Sequence, residues 1–386
     1  MNVFVTDSDA RQVLAIIRSL GKKGIKVTAA DHKKLSIGFF SKYCDEKILY
    51  PSPLKSPALF RKSLLKYIAN NKVDVLFPVS SPALYTVSSS LDIFSQYTSV
   101  PIPPYDTVMK AVDKALTVKI AEAIFCPKTY MPKKLSEVSV LAKKVDYPIV
   151  VKPRISSGSR GLKYATNPAE LRYHFETTAK KYGSPLVQEY IPGNEIYGVS
   201  ALLNKDSKPR AVFVHKRIRQ FPITGGPSTY RVSVSKPSLT KLGLKLLEEM
   251  KWYGVAMVEF KVDIRDGKPK LIEVNPRFVG SLNLAIAAGV DFPYLLYKMA
   301  INGDVQPIFD YKIGVKSRFL LFGDIFHFLA SQEKLKLAPE FFKFYEKNLS
   351  YDIWNTRDAL PAFVRLLDGL KHAWDREMWE YSFTRT

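Results

Sequence analysis

The stretch from residue 255 to residue 275 is predicted to form a β-hairpin that places two glutamates opposite each other. Its strands, VAMVEFKVDI and KPKLIEVN, flank a three-residue turn, RDG. A turn of this length that ends in a left-handed glycine is a common hairpin connection. The resulting register pairs Ile264 with Lys268, and therefore Glu259 with Glu273.

The opposed glutamates favour a divalent-cation site over a solvated sheet face. Directly opposed side chains lie about 5 Å apart at Cβ, where two like charges are destabilising unless a cation lies between them. Asn275 shares the face of Glu273, because alternate residues of a strand point the same way. Carboxylate and amide oxygens suit a hard cation, so Glu259, Glu273 and Asn275 are predicted to bind Mg²⁺, with Mn²⁺ as an alternative. The other face is expected to join the core through Val258, Phe260, Val262, Ile272 and Val274.

Two further segments are typical of nucleotide-contacting loops. Lys152 ends the strand PIVVKP, and in the following stretch Ser157, Gly158 and Ser159 leave backbone N–H groups open to phosphate oxygens. This is not a Walker loop, and a mobile surface loop is the alternative interpretation. The segment QEYIPGNE forms a strand and turn whose edge can contact an adenine, while Glu195 can accept hydrogen bonds from a ribose. Taken alone, that segment is simply a hairpin.

The first hundred residues alternate strands and helices. NVFVT, GIKVTAAD and VDVLFPVS are apolar strands, separated by helical periodicity over residues 13–20 and 57–70. This alternation predicts parallel βαβ units. The turn after the first strand, TDSDA, has no glycine, so dinucleotide binding is not predicted there.

The whole chain is predicted to be an α/β protein with three regions. Residues 1–105 form the βαβ domain, which the Pro-rich segment SVPIPPYD ends, and residues 106–305 form an α+β domain of two lobes. Residues 306–386 are mainly helical and aromatic-rich. Packing on the main domain is the favoured role of this last region, with a homodimer contact or a membrane-surface contact as alternatives.

Charge and cysteine content narrow the class of protein. Fifty-eight Lys and Arg against thirty-six Asp and Glu give a net charge of +22, which indicates anionic partners. The sequence shows no secretory signal and no apolar run of the roughly 20 residues that cross a bilayer. Two cysteines, Cys44 and Cys126, form no disulfide framework, so a cytoplasmic location is expected.

Together, the motifs resemble the ATP-grasp ligases. Their order is a lysine at a strand end, a Gly/Ser loop, QEYIPGNE and finally IEVNPR, and it covers residues 108–299, about half of the chain. The fourteen-residue step from Glu259 to Glu273 is similar to that of carbamoyl-phosphate-synthase-like members. Only one such unit and no glutaminase are visible, so the resemblance implies a stand-alone carboxylate–amine ligase.

The resemblance also implies roles for individual residues. Lys114 and Lys152 would contact the phosphates of ATP, and Arg277 would stabilise the transferred phosphate. Glu189 and Ile191 would present backbone groups to the adenine, and Glu195 would hold the ribose. The family's chemistry joins a carboxylate to an amine through an acyl phosphate and releases ADP.

A basic segment, residues 205–236, lies between the adenine strand and the metal hairpin. It contains eight Lys and Arg residues against one Asp. Our hypothesis is that Arg217, Arg219, Arg231 and the Gly225–Gly226 turn bind the acyl phosphate and an anionic acceptor, and a solvated basic hairpin is the alternative. A nucleic-acid-binding protein and a nucleotide-binding regulator without turnover are the alternative functions, although no nucleic-acid module is recognised.

Overall fold

The computed structural model describes residues 1–121, 125–156, 158 and 160–372. Within these ranges the chain forms three β-sheets, of four, four and seven strands, with helices packed against them. The predicted α/β class, with α+β lobes in the middle of the chain, is confirmed.

The N-terminal sheet is parallel and has the order β3-β2-β1-β4. Apolar side chains on one face of its first helix, including Leu14 and Ile17, are completely buried, as their helical spacing predicted. The elements of this domain are β1 (Asn2–Val5), α1 (Arg11–Gly21), β2 (Lys26–Asp31), β3 (Glu46–Leu49), α2 (Pro57–Asn70), β4 (Val75–Phe77), α3 (Ser81–Ser88) and α4 (Leu91–Phe94).

The second sheet is antiparallel, with the order β5-β8-β6-β7, and forms the smaller lobe of the middle region. Two helices cover it, and Val151, Leu171 and Val187 lie in the core between these layers. The elements from here to the end of the lobe are α5 (Tyr105–Val112), α6 (Lys114–Ile120), β5 (Thr129–Tyr130), α7 (Leu135–Leu141), β6 (Ile149–Lys152), β7 (Lys163–Ala165), α8 (Pro168–Tyr182) and β8 (Leu186–Glu189).

The seven-stranded sheet has the order β13-β12-β9-β10-β11-β14-β15 and carries the larger lobe. Its last two strands come from the region beyond residue 306, so that region is not purely helical. The remaining elements are β9 (Ile196–Leu203), β10 (Pro209–Gln220), β11 (Ser228–Ser233), α9 (Pro237–Glu249), β12 (Gly254–Val262), β13 (Pro269–Asn275), α10 (Leu282–Ala288), α11 (Phe292–Asn302), β14 (Lys316–Arg318), α12 (Ile325–Ala330), α13 (Lys334–Phe341), β15 (Leu349–Tyr351) and α14 (Leu360–His372).

The predicted pairing of Glu259 with Glu273 is confirmed, and Met257 lies opposite Asn275. The expected pairing of Ile264 with Lys268 is wrong, because the N–H of Asp263 donates to the carbonyl of Lys268 at 2.9 Å.

The reason is a bulge between the glutamates and the turn, where β13 carries one extra residue. Phe260 therefore lies opposite Leu271, and Leu271 takes the buried position that was predicted for Ile272, which is only half-buried. The bulge moves the turn by one residue without changing the pairing of the two glutamates.

Helices α10 and α11 connect the N-terminal domain to the larger lobe. Their apolar side chains, among them Leu284 and Leu296, lie in one core with Val5 and Ile16 of the N-terminal domain. No single helix in the described ranges is long and apolar enough to cross a membrane, and α10 with α11 meets that criterion only as a pair bent by 86°.

A buried ion pair attaches the C-terminal region to the N-terminal domain. Arg18 of α1 donates from Nε to Asp358 at 2.8 Å and from Nη2 to the carbonyl oxygens of Ile353 and Asp358. The second carboxylate oxygen of Asp358 accepts from the N–H of Lys42 at 2.9 Å. Both groups are buried, so the loss of either one would leave the other as an uncompensated buried charge.

Replacing Asp358→Ala is expected to lower the free energy of unfolding by about 3–5 kcal/mol, because it leaves the Arg18 guanidinium buried without its carboxylate. Urea denaturation at pH 7 measures this change. The control Asp310→Ala removes an exposed carboxylate and is expected to change stability by less than about 0.5 kcal/mol. A loss as small in Asp358→Ala as in the control would contradict the interpretation.

Candidate active site

The two opposed glutamates lie in a cleft with a volume of about 140 Å³. Glu259 is buried and accepts a hydrogen bond from Nη2 of Arg217 at 2.6 Å. Burial raises the pKa of Glu259, the charge of Arg217 opposes that rise, and the charge of Glu273 adds to it. Arg217 of β10 is therefore in direct contact with this carboxylate pair, through Glu259 of β12.

Asn275 completes the set that was predicted to bind a metal. Its side-chain nitrogen donates to Oε1 of Glu273 at 3.0 Å, which orients the carboxylate and leaves the amide oxygen available as a ligand. No group of three or more His, Cys, Asp and Glu side chains that could hold a metal exists among the described residues. Two carboxylates and one amide fit Mg²⁺ only where phosphate oxygens and water supply its other ligands, which is how Mg²⁺ is held in nucleotide sites.

Lys114 and Lys152 lie at the start of α6 and the end of β6, near enough to Glu273 for its charge to act on both. Burial, together with the charge of Lys114, lowers the pKa of Lys152 to about 7, and the charge of Glu273 opposes this change. Burial also lowers the pKa of Lys114, again against the charge of Glu273. The fold thus brings both predicted lysines within the electrostatic reach of Glu273.

The Gly/Ser loop follows Lys152 and runs beside Lys114. Nζ of Lys114 donates to the carbonyl oxygen of Ser156 at 2.9 Å. Gly158 lines the cleft with a φ of +63°, a conformation that favours glycine. Ser157 and Ser159 lie outside the described residues, so their predicted roles stay predictions.

The predicted adenine and ribose positions lie between the two lobes. The backbone N–H of Glu189 donates to the carbonyl of Lys128 at 2.9 Å, and the side chain of Glu189 pairs with Arg265. The next predicted residue, Ile191, is buried.

Glu195 is half-exposed, pairs with Lys216, and accepts from the hydroxyl of Tyr197 at 3.0 Å. The hydrogen bond from Lys216 lowers the pKa of Glu195, so this carboxylate stays ionised. The roles of Glu189, Ile191 and Glu195 stay predictions.

Arg277 links the metal hairpin to the N-terminal domain. Its Nε donates to the hydroxyl of Ser81 at 3.2 Å, and its Nη1 donates to the carbonyl of Phe278 at 3.1 Å. Ser81 begins α3, just after β4, so the carboxyl edge of the parallel sheet opens onto the cleft. Burial lowers the pKa of Arg277, and the charge of Glu273 opposes that change.

The three arginines of the basic segment are placed differently. Arg217 lines the cleft beside both glutamates. Arg219 instead donates to Asp324 at 2.7 and 2.8 Å and to Glu340 at 3.0 Å. Arg231 is fully buried and pairs with Asp352. The structure thus gives Arg219 and Arg231 carboxylate partners from the C-terminal region, and their catalytic roles stay predictions.

One charged residue of the cleft was not predicted from the sequence. Arg11, the first residue of α1, reaches the cleft from the N-terminal domain. A usable signal existed, because it follows the first strand of a parallel sheet, at the edge where ligands bind in α/β proteins. His215 is also buried there, and burial lowers its pKa to about 3, with Arg231 and Arg217 adding to the effect. His215 is therefore neutral at physiological pH.

Comparison with known proteins agrees with this arrangement. Residues 182–318 match the family described as "ATP-grasp in the biosynthetic pathway with Ter operon". The carbamoyl phosphate synthase large chain of Pyrococcus furiosus is 26% identical over 228 residues, which is 55% of this chain and 20% of that protein. The chain spans about a fifth of the length of the curated relatives that it matches.

Solved structures share the fold over a larger part of the chain. The biotin carboxylase domain of Hydrogenobacter thermophilus 2-oxoglutarate carboxylase, in complex with MgADP and bicarbonate, has a TM-score of 0.66 at 18% identity, and the likeness covers 82% of this chain and 73% of that one. The L-amino acid ligase of Bacillus licheniformis has a TM-score of 0.61 at 16% identity, with 80% and 77% covered. The chain therefore contains an ATP-grasp domain, as the order of its motifs predicted.

The contribution of Lys152 to ATP affinity is expected to be constant below pH 7 and to fall by up to about tenfold per pH unit above it. The reason is that Lys152, with a pKa near 7, loses its proton in the free protein as the pH rises, whereas phosphate favours the protonated form. Titration calorimetry from pH 6 to 9 at constant ionic strength measures this dependence.

Matched variants separate Lys152 from the titration of ATP itself. Lys152→Met is expected to bind ATP more weakly at pH 6.5. Above pH 7 its ATP affinity is expected to fall less steeply with pH than that of the wild type. Lys119→Met, which changes an exposed lysine of α6, is expected to keep the slope of the wild type. An unchanged slope in Lys152→Met would show that Lys152 does not titrate in this range.

Proposed function

We propose that this protein is an ATP- and Mg²⁺-dependent ligase that joins a small carboxylate to an amine and releases ADP and phosphate. One observation carries the proposal: the Glu259–Glu273 pair shares a single cleft with Arg217 and Arg277 and lies within reach of the charges of two buried lysines. Such a site suits phosphoryl transfer, in which positioning and charge neutralisation supply most of the catalysis.

Glu259, Glu273 and Asn275 would hold the metal, since they present the two carboxylates and the amide oxygen on one sheet face. When bound, Mg²⁺ neutralises the phosphate charge and holds the phosphate oxygens in place. The bound ion would also relieve the repulsion between the two glutamates and would thereby stabilise the hairpin.

The cationic side chains would orient the anionic reactants. Lys114 and Lys152 lie close enough to Glu273 for their ammonium groups to hold phosphates near it, and the charge of Arg277 acts on the same carboxylate. Arg217 is held by Glu259 and faces the same cleft. No nucleophilic side chain is needed, because the substrate carboxylate itself attacks the phosphate.

The reaction balances in two steps. A carboxylate oxygen attacks the γ-phosphorus, the bond to the β-phosphate oxygen breaks, and ADP leaves. The amine nitrogen then attacks the carbonyl carbon of the acyl phosphate, the carbon–oxygen bond breaks, inorganic phosphate leaves and the amine loses a proton to water. The buried cations hold the acyl phosphate away from water between these steps.

Ion pairing within the basic segment supports a small-molecule substrate over a nucleic acid. Five of its eight basic side chains pair with carboxylates of the protein: Arg210 with Asp304, Lys216 with Glu195, Arg217 with Glu259, Arg219 with Asp324 and Arg231 with Asp352. Nucleic-acid binding requires cations that are free to neutralise backbone phosphates. The cost of burying Glu259 opposite Glu273 likewise supports a working metal site over a regulator without turnover.

Glu273→Gln is expected to lower ADP release by about 10²–10³-fold, because it removes one charge of the metal site and keeps the shape of the side chain. The measurement is ADP release from ATP and Mg²⁺ with pooled carboxylates and amines. Thermal unfolding without Mg²⁺ checks that the variant is folded.

Glu248→Gln, which changes an exposed residue of α9, is the matched control and is expected to keep the wild-type rate. ADP release that depends on neither added carboxylate nor Glu273 would overturn the proposed function.

A further inference from the structure

We infer that the carboxylate substrate carries a second anionic group, a carboxylate or a phosphate, and that Arg11 binds this group. The inference rests on the proposed ligase function and specifies its substrate class. It comes from the position of Arg11, from the balance of buried charge around it and from the size of the cleft.

Arg11 belongs to the N-terminal domain, but its side chain lies against the larger lobe. Nη2 donates to the carbonyl oxygen of Ser228 at 3.1 Å, and the guanidinium carbon lies 4.3 Å from the centre of the Phe319 ring. The side chain is 12% exposed. These contacts hold the guanidinium at the cleft, which Arg11 lines together with Arg217, Glu273 and Arg277.

The buried charges around Arg11 do not balance. Asp352 lies 3.3 Å from Nη1 of Arg11 and also pairs with Arg231, so one carboxylate serves two buried guanidinium groups. The carboxylate of Glu259 is already engaged by Arg217. With Arg277 and Glu273, which line the same cleft, four guanidinium groups lie among three carboxylates here. One positive charge is therefore in excess, and a surplus charge removed from water is costly unless a ligand of opposite charge compensates it.

Two further observations indicate where the compensating anion binds. Nη1 of Arg11 has no hydrogen-bond partner among the residues that the structure describes. Burial lowers the pKa of Arg11 to about 9, as expected for a cation without full compensation. The contact of Nη1 with Asp352 at 3.3 Å is an ion pair without a hydrogen bond, so Nη1 can still donate to a carboxylate or a phosphate, whose oxygen atoms match the guanidinium geometry.

The backbone beside Arg11 leaves room for its guanidinium. A Cβ atom at Gly280 would lie 2.5 Å from Nη2 of Arg11, so any larger residue there would displace the side chain. The cleft, of about 140 Å³, has room beside Arg11 for a small anionic group. The substrate class is therefore a small dicarboxylate or a small phosphorylated carboxylate, whose reacting carboxylate faces the metal hairpin and whose second group faces Arg11.

The test compares matched substrates in the presence of ATP, Mg²⁺ and pooled amines. Succinate, glutarate and 3-phosphoglycerate are the substrates with a second anionic group, and butyrate, valerate and glycerate are their counterparts without it. We expect ADP release with at least one member of the first set and at least about a hundredfold lower kcat/KM with its counterpart. A preference for the phosphorylated compound over the dicarboxylates identifies the second group as phosphate.

Substitutions connect this preference to Arg11. In Arg11→Met the preference for the second anionic group is expected to disappear, mainly through a higher KM for the carboxylate, with the KM for ATP unchanged. Arg11→Lys is expected to restore part of it. Asp352 keeps its bonds to Arg231 and to the hydroxyl of Ser317 at 2.7 Å, so Arg11→Met is expected to fold, which thermal unfolding checks.

Gly280→Ala is a second variant that displaces the guanidinium without removing its charge, and it is expected to reduce the same preference. Arg172→Met, at an exposed position of α8, is the control and is expected to keep it. Titration calorimetry with the preferred compound in the absence of ATP gives a readout that does not depend on turnover.

The outcomes separate the inference from the proposed function. Equal rates with both sets of substrates, or an equal loss on both sets in Arg11→Met, would overturn the inference and leave the ligase standing. No ADP release with any carboxylate would overturn both.

Discussion

Two like charges held face to face across a β-hairpin set the conditions for the rest of this site. Glu259 and Glu273 repel each other, and the fold surrounds them with Arg217, Lys114 and Lys152 from three different elements. Each cation alone would be costly to bury, and so would each carboxylate. Their mutual compensation allows these charges to lie together in one part of the fold.

The same principle extends into the C-terminal region, where it serves the fold. Asp324, Asp352 and Asp358 pair with buried arginines that lie more than a hundred residues earlier in the chain, Arg219, Arg231 and Arg18. These pairs attach the C-terminal region to both the larger lobe and the N-terminal domain. Five of the eight basic side chains of residues 205–236 are thus used for internal contacts, so the composition of this segment overstated how many cations it offers to an anionic macromolecule.

The positions of many site residues could be predicted, because they depend on short stretches of sequence. Lys152 at a strand end, the glutamates fourteen residues apart and Asn275 two positions further depend only on strand periodicity and turn geometry. The error at Ile272 shows the limit of this reasoning. A bulge inserts one residue and exchanges the faces of its neighbours, and it depends on how the strand packs. The roles of Arg219 and Arg231 were inferred from charge, without knowledge of the carboxylates that would face them.

By itself, the sequence determined the parallel N-terminal sheet, the antiparallel hairpin with its facing glutamates, and the ATP-grasp order of motifs. Only the tertiary structure decided which cations meet those glutamates. It placed Arg11, 248 positions before Glu259, at the same cleft as Arg217 and turned Arg219 and Arg231 toward the C-terminal region. The physical reason is that periodicity and turns act over a few residues, whereas the compensation of a buried charge is made by whichever opposite charge the packing of distant segments brings within reach.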